Sequence, residues 1–88
     1  MPGNESGGPR FDGPRRVTGR ARITFGKNLR TARVAANMSQ ERLAGLVGMD
    51  QPYLSSVETG AQNITLDTAE AIASAVGQPL HVLLRPTR

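Results

Sequence analysis

Gln51, Ser55 and Ser56 carry the most usable side-chain chemistry in this 88-residue chain. A glutamine amide both donates and accepts a hydrogen bond, and a serine hydroxyl does either. Spacings of four and five residues bring the serines near the glutamine on one side of a helix. Such a face suits reversible recognition of a polar surface rather than bond breaking. The residue types needed for covalent work are absent or isolated. There is no cysteine, which excludes a disulfide, a thiolate metal site and a cysteine nucleophile. His81 is the only histidine, and no acidic ligands cluster near it in sequence. Neither a nucleophile–base pair nor a phosphate-cradling glycine loop is visible. The expectation is a protein that is not an enzyme and needs no cofactor or metal. His81 reads as a surface or contact residue of the last helix.

The elements that must hold this face are short. Residues 43–58 read as a helix, a turn at Gly48 and a second helix. Leu43, Ala44 and Val47 put an apolar stripe on the first helix; Leu54 and Val57 do so on the second, with Met49 between. Ala44 is small where the two helices cross, and Gly48 lets the chain turn with positive φ. This is the pattern of a helix-turn-helix, whose second helix can enter a DNA major groove. Gln51 then stands at the start of that helix, where it comes nearest the bases, and its amide fits adenine N6 and N7.

The flanking sequence completes an all-α fold of five helices. The first helix is expected to begin near Phe25 behind Thr24 as N-cap, with Leu29, Ala32 and Ala36 facing inward. Asn37 can end it in the left-handed conformation. Ser39 caps the second helix, with Glu41 near its positive end. Met38 and Leu43 have the spacing of a hydrophobic staple, while Gly45 costs ~1 kcal/mol against alanine. Asp50 caps the third helix, and Pro52 sits at its second position, where a missing N–H costs nothing. Gly60 stops it. Thr65 caps the fourth helix, whose apolar face is Leu66, Ala69, Ile72, Ala73 and Val76, and Gly77 ends it. Pro79 opens a short fifth helix carrying Leu80, Val82, Leu83 and Leu84. One face of this last helix can complete the core; the other is left exposed unless paired. A homodimer through Leu80, Val82 and Leu84 is therefore expected, with Val82 or Leu84 at the two-fold axis.

Composition limits the chain to one small domain. Phe11, Phe25 and Tyr53 are its only aromatics, so the core must be aliphatic. No apolar run is long enough for a membrane span or a signal peptide, which reads as cytoplasmic. The net charge of +4 is unevenly placed. Residues 1–22 carry Arg10, Arg15, Arg16, Arg20 and Arg22 against Glu5 and Asp12, and the tail, 85–88, adds Arg85 and Arg88. The domain between them, 23–84, has four basic residues against five acidic ones. Residues 1–22 are too poor in apolar side chains to offset ordering, so a disordered arm is expected. Two readings of it stay open: a passive leader, or a basic arm that follows the DNA backbone or minor groove.

Residues 25–84 resemble the phage-repressor/Cro-like (XRE-type) helix-turn-helix family. The matching segments are LRTAR, MSQERLAGLVGM, YLSSVETG, NITLDTAEAIASAVG and LHVLL. YLSSVETG followed by NITL is most similar to the small controller proteins of restriction-modification systems. The resemblance implies a five-helix lambda-repressor-like domain in the bacterial cytoplasm, associated with the nucleoid. It implies a homodimeric, autoregulatory transcriptional regulator that binds a palindromic operator in double-stranded DNA. Gln40 falls where the family touches phosphate and braces the recognition helix. Gln51, Pro52, Ser55 and Ser56 fall at groove-facing positions; Tyr53, Thr59 and Asn63 fall at the backbone or groove edge. Arg33 and Glu58 match a family ion pair between the first helix and the end of the third. Two departures stand out. Controller proteins often carry basic residues where this chain has Gln51 and Gln62, and Pro52 adds no hydrogen bond. Replacing Gln51 with alanine is expected to relax preference at one base pair, and replacing Gln40 to weaken binding to all sequences alike. The alternative is an antitoxin, whose arm or tail folds onto a partner toxin while the domain binds DNA. A polymerase is another conceivable protein partner. A regulatory adaptor that does not bind DNA is a third reading, suited to the slightly acidic domain.

Overall fold

The computed structural model describes residues 19–86. Five helices follow in order: α1 (Arg20–Ala35), α2 (Gln40–Val47), α3 (Gln51–Glu58), α4 (Leu66–Ala75) and α5 (Leu80–Leu83). No strand occurs among the described residues, so the fold is all-α.

Local chemistry accounts for most of the boundaries. Ser39 accepts a hydrogen bond from the Arg42 N–H at 3.0 Å, Asp50 from Tyr53 at 2.8 Å and Thr65 from Thr68 at 3.0 Å. Each satisfies a donor that the first helical turn would otherwise leave unpaired. Asn37 takes φ 56° beyond α1. The Met38 N–H then reaches back to the Arg33 carbonyl at 3.1 Å, and that of Asn37 to Val34 at 2.9 Å. This is the paired closure of a Schellman motif.

The helices pack as α1 on α3 and α5, α2 on α3 and α4, and α4 on α5. Leu29, Leu43, Leu54, Ile72 and Leu83 lie at the centre, fully or almost fully buried, with Val57, Ala44 and Ala73 between them. Phe25 is the aromatic member of this cluster. Asn28 donates from Nδ2 to the Leu83 and Arg85 carbonyls, both at 2.8 Å. It thereby pairs carbonyls at the free end of α5 and fastens that helix to α1.

Three expectations need correction. α1 begins at Arg20, not near Phe25, and Thr24 lies inside it. Tertiary contacts stabilise the added turn: Arg22 donates from Nε to the Gly60 carbonyl at 2.9 Å, and Ile23 packs against Gly60. Residues 20–22 therefore belong to the domain and not to the arm. Residues 1–18 and 87–88 lie outside the described residues, and both readings of the arm with them. Second, the inward stripe of α1 is Phe25, Gly26, Leu29 and Arg33 with Ala32 half-buried against it, whereas Ala36 is exposed because the helix has already ended there. Third, Leu66 is not core. It is 73 % exposed, because the first turn of α4 overhangs the edge of the packed cluster. No helix among the described residues is long and apolar enough to cross a membrane.

Candidate nucleic-acid interface

The interface is built on α2, the turn and α3. Gly48 takes φ 73° after α2, and the Met49 N–H returns to the Ala44 carbonyl at 2.9 Å. A Cβ at position 48 would meet no atom, so the backbone conformation is the constraint there. Asp50 then starts α3 at once, with Pro52 in its first turn. Leu54, Val57 and Glu58 turn inward. Gln51, Pro52 and Thr59 remain exposed, and Ser55, Ser56 and Tyr53 are half-buried. Tyr53 packs against the core. Asn63 is exposed in the segment between α3 and α4.

The hydroxyls are not equally free. Ser56 donates to the Tyr53 carbonyl at 2.6 Å, and Thr59 to the Ser56 carbonyl at 3.0 Å. Both therefore offer the surface an acceptor more readily than a proton.

Beneath this face lies a continuous polar chain. Arg33 donates from Nε to Glu58 Oε2 at 2.6 Å and from Nη2 to Oε1 at 3.1 Å. The two side chains are 10 % and 2 % exposed. Arg33 also donates from Nη1 to the Met38 carbonyl at 2.7 Å, so one guanidinium joins α1, the segment before α2 and the end of α3. The two-point geometry holds both planes fixed. Gln40 donates from Nε2 to Glu58 Oε1 at 2.9 Å, and Gln51 donates from Nε2 to Gln40 Oε1 at 2.7 Å. No buried side-chain nitrogen or oxygen among the described residues lacks a partner.

Reading the sequence alone missed two supports. A Cβ on Gly26 would fall 2.5 Å from the Glu58 carbonyl oxygen and 2.6 Å from that of Val57. Glycine at this position lets α1 lie directly on the end of α3. The signal was available, because a glycine inside an otherwise good helix calls for a packing reason. Arg22 was the second. Its place among the arginines of residues 1–22 hides that it ties α1 to Gly60, two residues beyond α3.

The remaining candidates lie elsewhere on the domain. Leu83 is buried, Leu80 and Val82 are half-buried, and Leu84 is 40 % exposed. Leu80 and Leu84 line an apolar groove of about 380 Å³ with Phe25, Ile64, Leu66 and Ala69. His81 is exposed. No group of three or more histidine and carboxylate side chains among the described residues is placed to hold a metal ion.

Residues 29–83 match the profile of a family described as helix-turn-helix, HTH_3. The chain is 39 % identical over 69 residues to the control protein C.BamHI of Bacillus amyloliquefaciens, spanning 76 % of this chain and 85 % of that one. It is 38 % identical over 58 residues to the control protein C.SmaI of Serratia marcescens, spanning 66 % and 69 %. Among solved structures, the restriction-modification controller protein C.AhdI from Aeromonas hydrophila superimposes with a TM-score of 0.66 at 37 % identity. That match covers 70 % of this chain and 94 % of the other.

Proposed function

The chain belongs to the HTH_3 helix-turn-helix family, and from that premise we propose that it is a DNA-binding regulator of transcription of the restriction-modification controller type. It acts as a homodimer on a palindromic operator and regulates its own operon. The observation that carries this reading is the Gln40–Gln51 hydrogen bond at the exposed edge of α3. It holds a donor–acceptor side chain in place on a rigid, capped helix.

In the bound state α3 lies in the major groove. Gln51 addresses an adenine edge, with Pro52, Ser55 and Ser56 beside it. Gln40, Tyr53, Thr59 and Asn63 meet phosphates or the groove edge, which sets register without reading sequence. The second copy covers the apolar groove at Leu66, Leu80 and Leu84, together with Val82. That pairing supplies two recognition helices for half-sites about 10 bp apart, centre to centre. The relatives at 38–39 % identity are named control proteins, which favours the controller reading over the antitoxin one. On this reading the protein is not an enzyme, and it works in the bacterial cytoplasm at the nucleoid.

The test is selection of bound duplexes from a random pool, followed by a gel shift on the DNA upstream of the protein's own gene. The expected result is enrichment of one dyad-symmetric site that also occurs upstream. A pool that stays random after repeated rounds would remove the reading.

A further inference from the structure

We propose that Glu58 is a positioning residue for base readout: acting through Gln40, it fixes which end of the Gln51 amide faces the groove. The proposal rests on the reading of α3 as the recognition helix. A glutamine amide fits its space in either of two orientations, and packing barely distinguishes oxygen from nitrogen. Charge distinguishes them sharply. The Glu58 carboxylate is almost fully buried and ion-paired with Arg33, and an ionised carboxylate only accepts hydrogen bonds. Gln40 approaches its Oε1 to 2.9 Å. The reversed amide would set two oxygen acceptors against each other at that distance, so Gln40 must present its NH2 group. Its own oxygen then points to Gln51. That oxygen also only accepts, so Gln51 must turn its NH2 inward, at 2.7 Å.

The polarity set at Glu58 is thus passed along two side chains to the surface. One Gln51 N–H is used internally. The second N–H and Oε1 remain for DNA, one donor and one acceptor in a fixed order. Adenine offers the complement, an N7 acceptor beside an N6 amino donor, whereas guanine offers two acceptors. Because the amide is already oriented, little side-chain freedom is lost on binding. The expectation for Gln40 changes accordingly. Its loss broadens base preference at the Gln51 contact, in addition to any uniform loss from a phosphate contact.

Two variants test this. Gln40→Met cuts the chain and leaves the ion pair intact. The double variant Arg33→Met, Glu58→Leu removes both charges together, so that neither is left alone in the core. If the double variant does not fold by circular dichroism, Gln40→Met decides. Each full-length protein is labelled with ¹⁵N to follow the Gln40 and Gln51 side-chain amide protons in the absence of DNA, and each is put through duplex selection. In the wild type the internally bonded proton of each glutamine amide should exchange more slowly than the free proton of the same amide. The Gln51 protons should lose that protection in both variants, and the Gln40 protons in the double variant. Adenine-over-guanine preference should fall about fivefold or more at one base pair per half-site, with the ranking at other positions kept. Unprotected amides in the wild type, an unchanged adenine preference in the variants, or equal broadening across the half-site would each overturn the proposal, and the DNA-binding reading would stand. A wild-type protein that enriches no site would overturn both.

Discussion

A side chain reads a base only if its donors and acceptors are both free and held still, and the residues of α3 differ in this respect. Gln51 keeps one donor and one acceptor free and is held by Gln40. The Ser55 hydroxyl has no hydrogen-bond partner among the described residues, whereas Ser56 has given its proton to the Tyr53 carbonyl. Gln51 should therefore dominate discrimination and the serines should refine it. Gln51→Ala is expected to cost ~1–3 kcal/mol on the selected operator and to relax preference at one base pair per half-site. Competition titrations with operator duplexes substituted one pair at a time measure this; an unchanged ranking would show that Gln51 does not touch bases. Spacing puts Ser55 on the Gln51 face of α3, whereas Ser56, five residues on, falls further round the helix. The commitment of the Ser56 proton could not be foreseen in the same way, because it depends on a backbone carbonyl that only the folded helix brings within reach.

The angle and depth of α3 are set by α1 more than by its own sequence. Arg33 grips Glu58, Gly26 admits the α3 carbonyls at close range, and Arg22 holds the Gly60 carbonyl. Arg33→Ala leaves a buried carboxylate without its cation and should destabilise the domain by ~3–5 kcal/mol. Gly26→Ala adds a methyl group against backbone that cannot rotate away, and should cost ~1–3 kcal/mol. Urea denaturation followed by circular dichroism gives both values, and either variant unfolding at the wild-type midpoint would remove that support. The caps were legible in advance because Ser39, Asp50 and Thr65 each act on an amide three residues away. Asn37 was legible for the same reason. The start of α1 was not, because Thr24 offers a local cap that the chain does not use, while Arg22 and Ile23 are held by Gly60, some 40 positions later. Leu66 misled for a related reason: helical period puts it on the inner face, but the core ends before the helix does.

At the scale of the whole molecule, the domain must bind a polyanion with little charge of its own. Arg33 is spent on Glu58, and the other described cations, Arg20, Arg22, Lys27, Arg30, Arg42 and Arg85, are largely offset in number by Glu41, Asp50, Asp67 and Glu70. In the proposed dimer the contacts are doubled. Leu84→Glu, which sets a charge in the groove of each copy, should turn a dimer into a monomer in sedimentation at tens of micromolar (on the order of a moderate Kd), with little effect on the fold. Further affinity is expected from outside the domain, where Arg10, Arg15 and Arg16 precede α1 and Arg88 follows α5. The boundary of α1 decides which arginines belong in that account. Arg20 and Arg22 lie in α1, so removing residues 1–18 tests the arm without shortening a helix. If each of the three lost arginines neutralises one phosphate, the slope of log K against log salt should become shallower by up to ~3 per chain, at about 0.9 per contact. Binding titrations from about 50 to about 200 mM salt on operator and on unrelated DNA measure it. Affinity should fall on both duplexes by similar factors, leaving their ratio almost unchanged, because phosphate contacts carry no sequence information. An unchanged slope would make the arm a passive leader and return the whole burden of affinity to α2, α3 and the dimer.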